Sequence, residues 1–335
     1  MPLRTALRAL ALAAALLASS AANAQLFRAY LAITGNDANP CTLPQPCRLL
    51  PAALAAVASG GEIWMLDSAN YNTATVNVAK SVTILAVPGA VGSVVATGGP
   101  AINLATSGVN VVLRNLVIVP LPGAGGTRGV QMTAGDSLVV EGCAISGVPS
   151  GGILASGPAA VKVTGSTIRT PGDALRLENG ARGTVTRSVL SSAGNYAVVA
   201  YGNAAGTTTT ASIAGSTLEG SFVGAFAWSD AATATATISV RDSQVDRNEF
   251  GLYAYSVSGG PARIAASNNV VTNTLSHAIA ADGVGAKAWA TGNTVADNAS
   301  GIAAVSSGVF ESAGDNAVRN NGANKVGTIS VFAKE

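Results

Sequence analysis

The six residues VTGSTI (163–168) have near copies on either side, VTRSVL (185–190) and IAGSTL (213–218). The series extends in both directions, through VEGCAI (140–145) and LRNLVI (113–118) and through VRDSQV (240–245), AASNNV (265–270), ATGNTV (290–295) and AGDNAV (313–318). The last positions advance by 22 to 28 residues, 25 on average. Self-similarity at such a period marks stacked supersecondary units, none of which buries its apolar face alone. Six of the nine units place Asn115, Gly142, Gly165, Gly215, Asp242 or Gly292 at the third position. These residue types tolerate a left-handed backbone, so the chain turns a corner there. The next position faces inward and runs Leu116, Cys143, Ser166, Ser188, Ser216, Ser243, Asn268, Asn293, Asn316, a column of like residues. Cys143 is therefore a ladder member before it is a reactive thiol.

A second file keeps the same step. GVQM (129–132), GILA (152–155), ALRL (174–177), AVVA (197–200), GAFA (224–227), GLYA (251–254), AIAA (278–281) and GIAA (301–304) read as strands with alternate residues inward. Three residues past the end of each of the last four repeats stand Asn248, Asn273, Asn298 and Asn321, where stacked amides can bond backbone and each other. Coils of about 25 residues with short strands, bends and inward ladders predict an all-β parallel solenoid, successive coils about 4.8 Å apart. Composition agrees: Gly is 39 of 335 residues and aromatics are only 4 %, which suits thin stacked strands.

The ladders and segments such as VDRNEFGLYA (245–254) and VADNASGIAA (295–304) resemble the right-handed parallel β-helix proteins of the pectate-lyase-like superfamily, over residues 73 to about 330. The opening FRAYLAITGNDANPC, a helix, then GGEIWMLDSANYN is similar to the start of many exported bacterial members. CRLLPAALAAVASGG (47–61) has Leu50, Leu54 and Val57 at helical spacing and Gly60-Gly61 as a stop, predicting a capping helix for the stack. The expected organisation is thus a leader over 1–24, a capping segment over 25–72 and a right-handed parallel β-helix over 73–335.

The leader reading rests on Arg4 and Arg8, an apolar run from Leu10 to Ala18 and Ala22-Asn23-Ala24 before Gln25. That order is a secretory signal cut after Ala24, and the run is too short to span a bilayer. Removing it lowers the 19 basic residues to the number of acidic ones, 17. With only 11 % charged residues, no basic field remains to hold nucleic acid or an anionic membrane. In an oxidising compartment Cys41 and Cys47 pair as a disulfide, leaving Cys143 free. A metal site at the first two lacks further ligands, since His277 is the only histidine.

The resemblance implies polysaccharide chemistry, a lyase or glycoside hydrolase if the chain is an enzyme, but the superfamily also holds adhesins and tail spikes. There is no Asp-Asp pair, Asn-Thr-Asp, Gly-His-Gly or Asp-Pro-His-Glu, so the better-known hydrolase and epimerase motifs are missing and catalytic residues stay unassigned. GTRG (126–129) lacks the strand-to-helix context of a phosphate loop, and no cofactor is expected. Charge is dispersed; Arg169, Asp173, Arg176, Glu178, Arg182 and Arg187 form one denser region, and Arg241, Asp242, Asp246, Arg247 and Glu249 another, both read first as solvated ion pairs. His277 starts a strand at a coil corner and is read as a surface or capping residue rather than a catalytic one.

Aromatics carry the sharper signal. Residues 72 to 195 contain none, whereas 196 to 255 hold eight of the chain's 15. The second strands project two outward files: Gln131, Leu154, Arg176, Val199, Phe226, Tyr253, Ala280, Ala303, and Thr133, Ser156, Glu178, Tyr201, Trp228, Tyr255, Asp282, Val305. Tyr201, Trp228 and Tyr255 fall on three consecutive rungs, widened by Phe226 and Tyr253. We expect an exposed stacking platform for a polysaccharide or cell-surface glycan, flanked by Arg176, Glu178 and Asp282, with Arg176 able to grip a sugar carboxylate. The alternative is an adhesin or structural surface protein whose same patch meets another protein or another copy of itself.

Overall fold

The computed structural model describes residues 25–332 except Ala193; the leader expected over 1–24 lies outside the described residues. The chain winds into a right-handed parallel β-solenoid of about 11 turns. Its strands form three sheets, one of 13 strands and two of 11, in which every neighbour is one coil away in sequence. Each full coil contributes one strand to the 13-stranded sheet, turns sharply into a short strand of a second sheet, and turns again into a strand of the third, here termed the platform sheet. The strand pairs along the repeats are parallel and in register, as in the files Val161↔Gly183↔Ala211↔Ile238 and Val163↔Val185↔Ile213↔Val240.

Alternation sets what lies inside. Val161 and Val163, Ala211 and Ile213, Ile238 and Val240 are buried, and the residues between them face outward. Burying each such Val, Leu or Ile is worth about 1.5–3 kcal/mol, so repetition of two or three per strand holds the stack together. At the bends, Asn115, Gly142, Gly165, Gly215, Asp242 and Gly292 all take left-handed φ values of 51° to 63°, and Arg187 joins them at 48°.

The inward column is a continuous hydrogen-bonded ladder. The backbone N–H of Cys143 donates to Ser166 Oγ (3.1 Å), that of Ser166 to Ser188 (3.2 Å), that of Ser188 to Ser216 (3.2 Å) and that of Ser216 to Ser243 (3.2 Å). Beyond Ser243 the acceptors are Asn269, Asn293 and Asn316 Oδ1. The expected Asn268 is thus corrected by one position: Asn268 is the left-handed bend (φ 54°) and Asn269 the ladder residue. The same slip affects Asn273, which is left-handed at the second bend, while Thr274 faces inward and donates to Asn298. With two adjacent asparagines, only the alternation decides, and Val271, not the exposed Val270, lies in the core. Asn248, Asn298 and Asn321 do line the second bend, accepting the N–H groups of Ser221, Thr274 and Asn298.

At the N-terminal end the helix is shorter than expected, Leu50–Ala56, with Pro51 in its first turn. Val57 is already extended (φ −79°, ψ 143°), and Val57–Met65 is a strand beside Leu26–Leu31 at the head of the 13-stranded sheet. Gly60-Gly61 does not stop the helix. It lies where the register slips between Leu26↔Val57 and Arg28↔Glu62, and a side chain on Gly61 would meet Phe27 O and Val57. Cys41 and Cys47 form a buried disulfide in the loop before the helix, and Cys143 is a buried free thiol. Among the described residues no helix is long and apolar enough to cross a membrane.

Candidate functional site

The platform sheet reproduces the two outward files. Arg176 pairs with Val199, Val199 with Phe226, Phe226 with Tyr253 and Tyr253 with Ala280. Glu178, Tyr201, Trp228, Tyr255 and Asp282 follow in the neighbouring file. Leu252 and Ala254, between the tyrosines, are buried inside the coil. The inward positions serve the coil interior, and the outer face is left to the rings.

Those rings do not form the open row expected. Phe226 is only 5 % exposed, and with Val199 and Val223 it makes the floor of a second apolar cluster, outside the solenoid core. Tyr196, Tyr201, Trp228, Phe250, Tyr253 and Tyr255 pack on that floor, each half-buried. The correction has a simple cause: rings one rung apart are close enough to cover one another, so the central ring is roofed by its neighbours. Phe226 lies 4.9 Å from Tyr196, 5.4 Å from Trp228 and 5.7 Å from Tyr253 between centroids. Phe226, Trp228, Tyr253 and Tyr255 share nearly one plane direction, with interplanar angles of 15° to 27° among their contacts. Tyr201 adds to Trp228 at 4.3 Å.

Three members, Tyr196, Phe222 and Phe250, were not placed from sequence. Tyr196 and Phe250 sit on a third file at the strand start, through Tyr196↔Val223↔Phe250, and the same alignment contains it. Phe222 lies one residue earlier, 5.5 Å from Phe250 and 46 % exposed.

Polar groups tie the rings in place. Tyr201 Oη donates to Asp230 Oδ2 (2.8 Å) and Tyr253 Oη to Asp282 Oδ2 (2.6 Å). Burial, then the adjoining carboxylate, raises the pKa of both hydroxyls, so they stay protonated donors. Asp282 was placed from sequence; Asp230, in the loop after the strand, was not. Arg176 lies with its guanidinium carbon 4.6 Å from the Tyr201 ring centre, bonding Glu178 through Nε (2.9 Å) and Asp173 through a terminal nitrogen (3.2 Å). Burial works against its charge, but Glu178 and Asp173 more than offset this and hold its proton more firmly than usual. Arg128, half-buried near Asp173, is shifted the other way, chiefly by desolvation. His277 stands 6.1 Å from Phe250, and burial lowers its pKa.

Further ion pairs lie away from the rings, as in Arg114–Glu141, Arg169–Glu219, Arg241–Asp242 and Arg247 with Glu219 and the buried Asp246. Such pairs contribute about 0–1 kcal/mol each and assemble no site. No group of three or more His, Cys, Asp and Glu side chains suited to a metal occurs among the described residues.

No curated protein matches the chain. Among solved structures, it is similar to pectate lyase Pel9A, with 14 % identity over 91 % of this chain and 77 % of that one and a TM-score of 0.51. It is also similar to XylC, solved in complex with xylose, with 9 % identity over 81 % of this chain and 69 % of that one and a TM-score of 0.52. At such identities the likeness is one of fold. The family model described as a right handed beta helix region matches residues 70–245, and with more than half of its length so matched the chain belongs to the right-handed beta helix family.

Proposed function

We propose that the protein is exported and contacts a polysaccharide through the outer aromatic cluster of the platform sheet. The leader is removed after Ala24, residues 25–72 close the N-terminal end, and residues 73–335 form the solenoid that presents the cluster. The Cys41–Cys47 disulfide supports an oxidising destination. The observation that carries the glycan reading is the near-parallel set Phe226, Trp228, Tyr253 and Tyr255, in register on adjacent strands. Sugar rings offer flat C–H faces that stack on such surfaces, and rings anchored by Asp230 and Asp282 lose little freedom when they do. Fold relatives whose names refer to pectate and xylose support a carbohydrate partner.

Binding rather than turnover fits the polar groups. Asp173 and Glu178 are engaged by Arg176, and Asp230 and Asp282 each accept a tyrosine hydroxyl. The rings at the surface are Tyr201, Trp228, Tyr253 and Tyr255, with Phe226 beneath them as support. Affinity electrophoresis against a polysaccharide panel tests the reading. Trp228→Ala should stay cooperatively folded, with a lowered melt because Trp228 helps to cover Phe226, and weaken binding about tenfold or more, as loss of a stacked anchor does. Unchanged affinity in a folded variant refutes it. A second reading, association with another protein, is favoured by Phe222 at 46 % and Leu275 at 73 % exposure at bends leading into the same sheet. Sedimentation that changes with Phe222→Ser, with no glycan bound by either form, would establish that reading instead.

A further inference from the structure

From the charges around the cluster we infer that its ligand is a neutral glycan, not a polyuronate or a sulfated one; this rests on the glycan reading above and goes further by naming the class. Four carboxylates border the rings, Asp173, Glu178, Asp230 and Asp282, against two guanidinium groups, Arg128 and Arg176. His277 adds no charge at neutral pH, because burial lowers its pKa. Arg176, whose guanidinium stacks on the Tyr201 ring, already bonds both Asp173 and Glu178. A sugar carboxylate would have to displace one of them. Among the described residues neither Asp230 nor Asp282 forms an ion pair, each accepting a tyrosine hydroxyl instead, so the rim that faces a ligand is predominantly negative.

That rim suits hydroxyl groups. An ionised carboxylate has about four lone-pair sites, and the tyrosine hydroxyl at Asp230 or Asp282 uses only one. The free sites accept from ring hydroxyls of a sugar whose C–H face lies on Trp228 or Tyr255, and such charge-assisted bonds are stronger than neutral ones. A uronate at the same place would put like charges within several ångströms in a partly desolvated setting, a penalty on the order of tenfold in affinity per close contact.

The test uses the mature full chain and matched pairs of oligosaccharides, β-1,4-glucan and β-1,4-galactan hexasaccharides with their C6-oxidised forms, measured by titration calorimetry at about 50 mM and 500 mM salt. The neutral member of a pair should bind on the order of tenfold or more tighter, with little change across the salt range. The double variant Asp230→Asn with Asp282→Asn should narrow that preference, since it removes the charge and keeps an acceptor. An oxidised form that binds as tightly as its neutral partner, or tighter at low salt, overturns the inference while leaving the aromatic surface as a glycan site. Failure of every member of the panel to bind overturns both.

Discussion

Replacing Asn293 separates the ladder's chemistry from its shape. Its Oδ1 accepts the buried N–H of Asn269 (2.9 Å) and the Asn269 amide (3.0 Å), and its own amide reaches Ala266 O (2.9 Å), Thr291 O (3.0 Å) and Asn316 Oδ1 (2.8 Å). Asn293→Ala leaves the Asn269 N–H without an acceptor, at about 1–3 kcal/mol, and the lost side-chain donor bonds add about 1 kcal/mol each for the two N–H groups available. The expected cost is about 3–5 kcal/mol. Asn293→Ser behaves differently, because Ser216 in the same column accepts the preceding rung's N–H and donates two residues back to Ala214 O. Serine should retain those two bonds and cost about 1–2 kcal/mol. Hydrogen exchange at the Asn269 amide, with urea unfolding alongside, reads the difference. The alanine variant should lose protection at that amide about 30-fold more than the serine variant, corresponding to about 2 kcal/mol. Alanine and serine variants alike within about 0.5 kcal/mol would refute the assignment of the ladder as the source of the stability.

Burial raises the Cys143 pKa to about 11, so at pH 8 the folded protein should resist alkylation, and urea should release one reactive thiol; labelling with and without denaturant checks this. Cys143→Ser should remain folded, since serine occupies the next four rungs of the same column. Burial also depresses the His277 pKa, so below about 6.5 the unfolded chain takes up a proton that the folded one does not. Stability should therefore fall as pH drops from about 6.5 toward the folded-state value, and His277→Gln should flatten that slope in urea melts taken from pH 7 to 5.

The coil period and the inward serines were legible in sequence because alternation and repeat length constrain each other: one slipped residue would turn Val163 or Ile168 outward, and both are buried. Where the local text is degenerate that constraint weakens. Asn268 and Asn269 are chemically identical, and only Val271 against Val270 tells which one turns the corner. The strand beginning at Val57 was hidden by apolar residues that suit a helix and a strand equally. The outward files of the platform sheet could be read because they follow the same register. The burial of Phe226 could not, since it depends on how six neighbouring rings tilt. Nor could the bond from Tyr201 to Asp230, whose partner lies 29 residues on, outside the repeated strand.

Every backbone N–H in the inward column from Leu116 to Asn293 is served by the side chain of the coil that follows it, never by the one before. The junction between coils is therefore the same one-way coupling repeated, a socket on one side and a plug on the other. Excising one whole coil would present the Ser216 N–H to Asn269 Oδ1 in place of Ser243 Oγ, an acceptor of the same kind at the same place. Cutting out half a coil would join unlike ends and bring a polar face into the core. The length of the stack can thus vary in whole coils at little energetic cost, and duplication or loss of a unit becomes a route by which such a chain moves its aromatic face nearer to or farther from its N-terminal helix without rebuilding either.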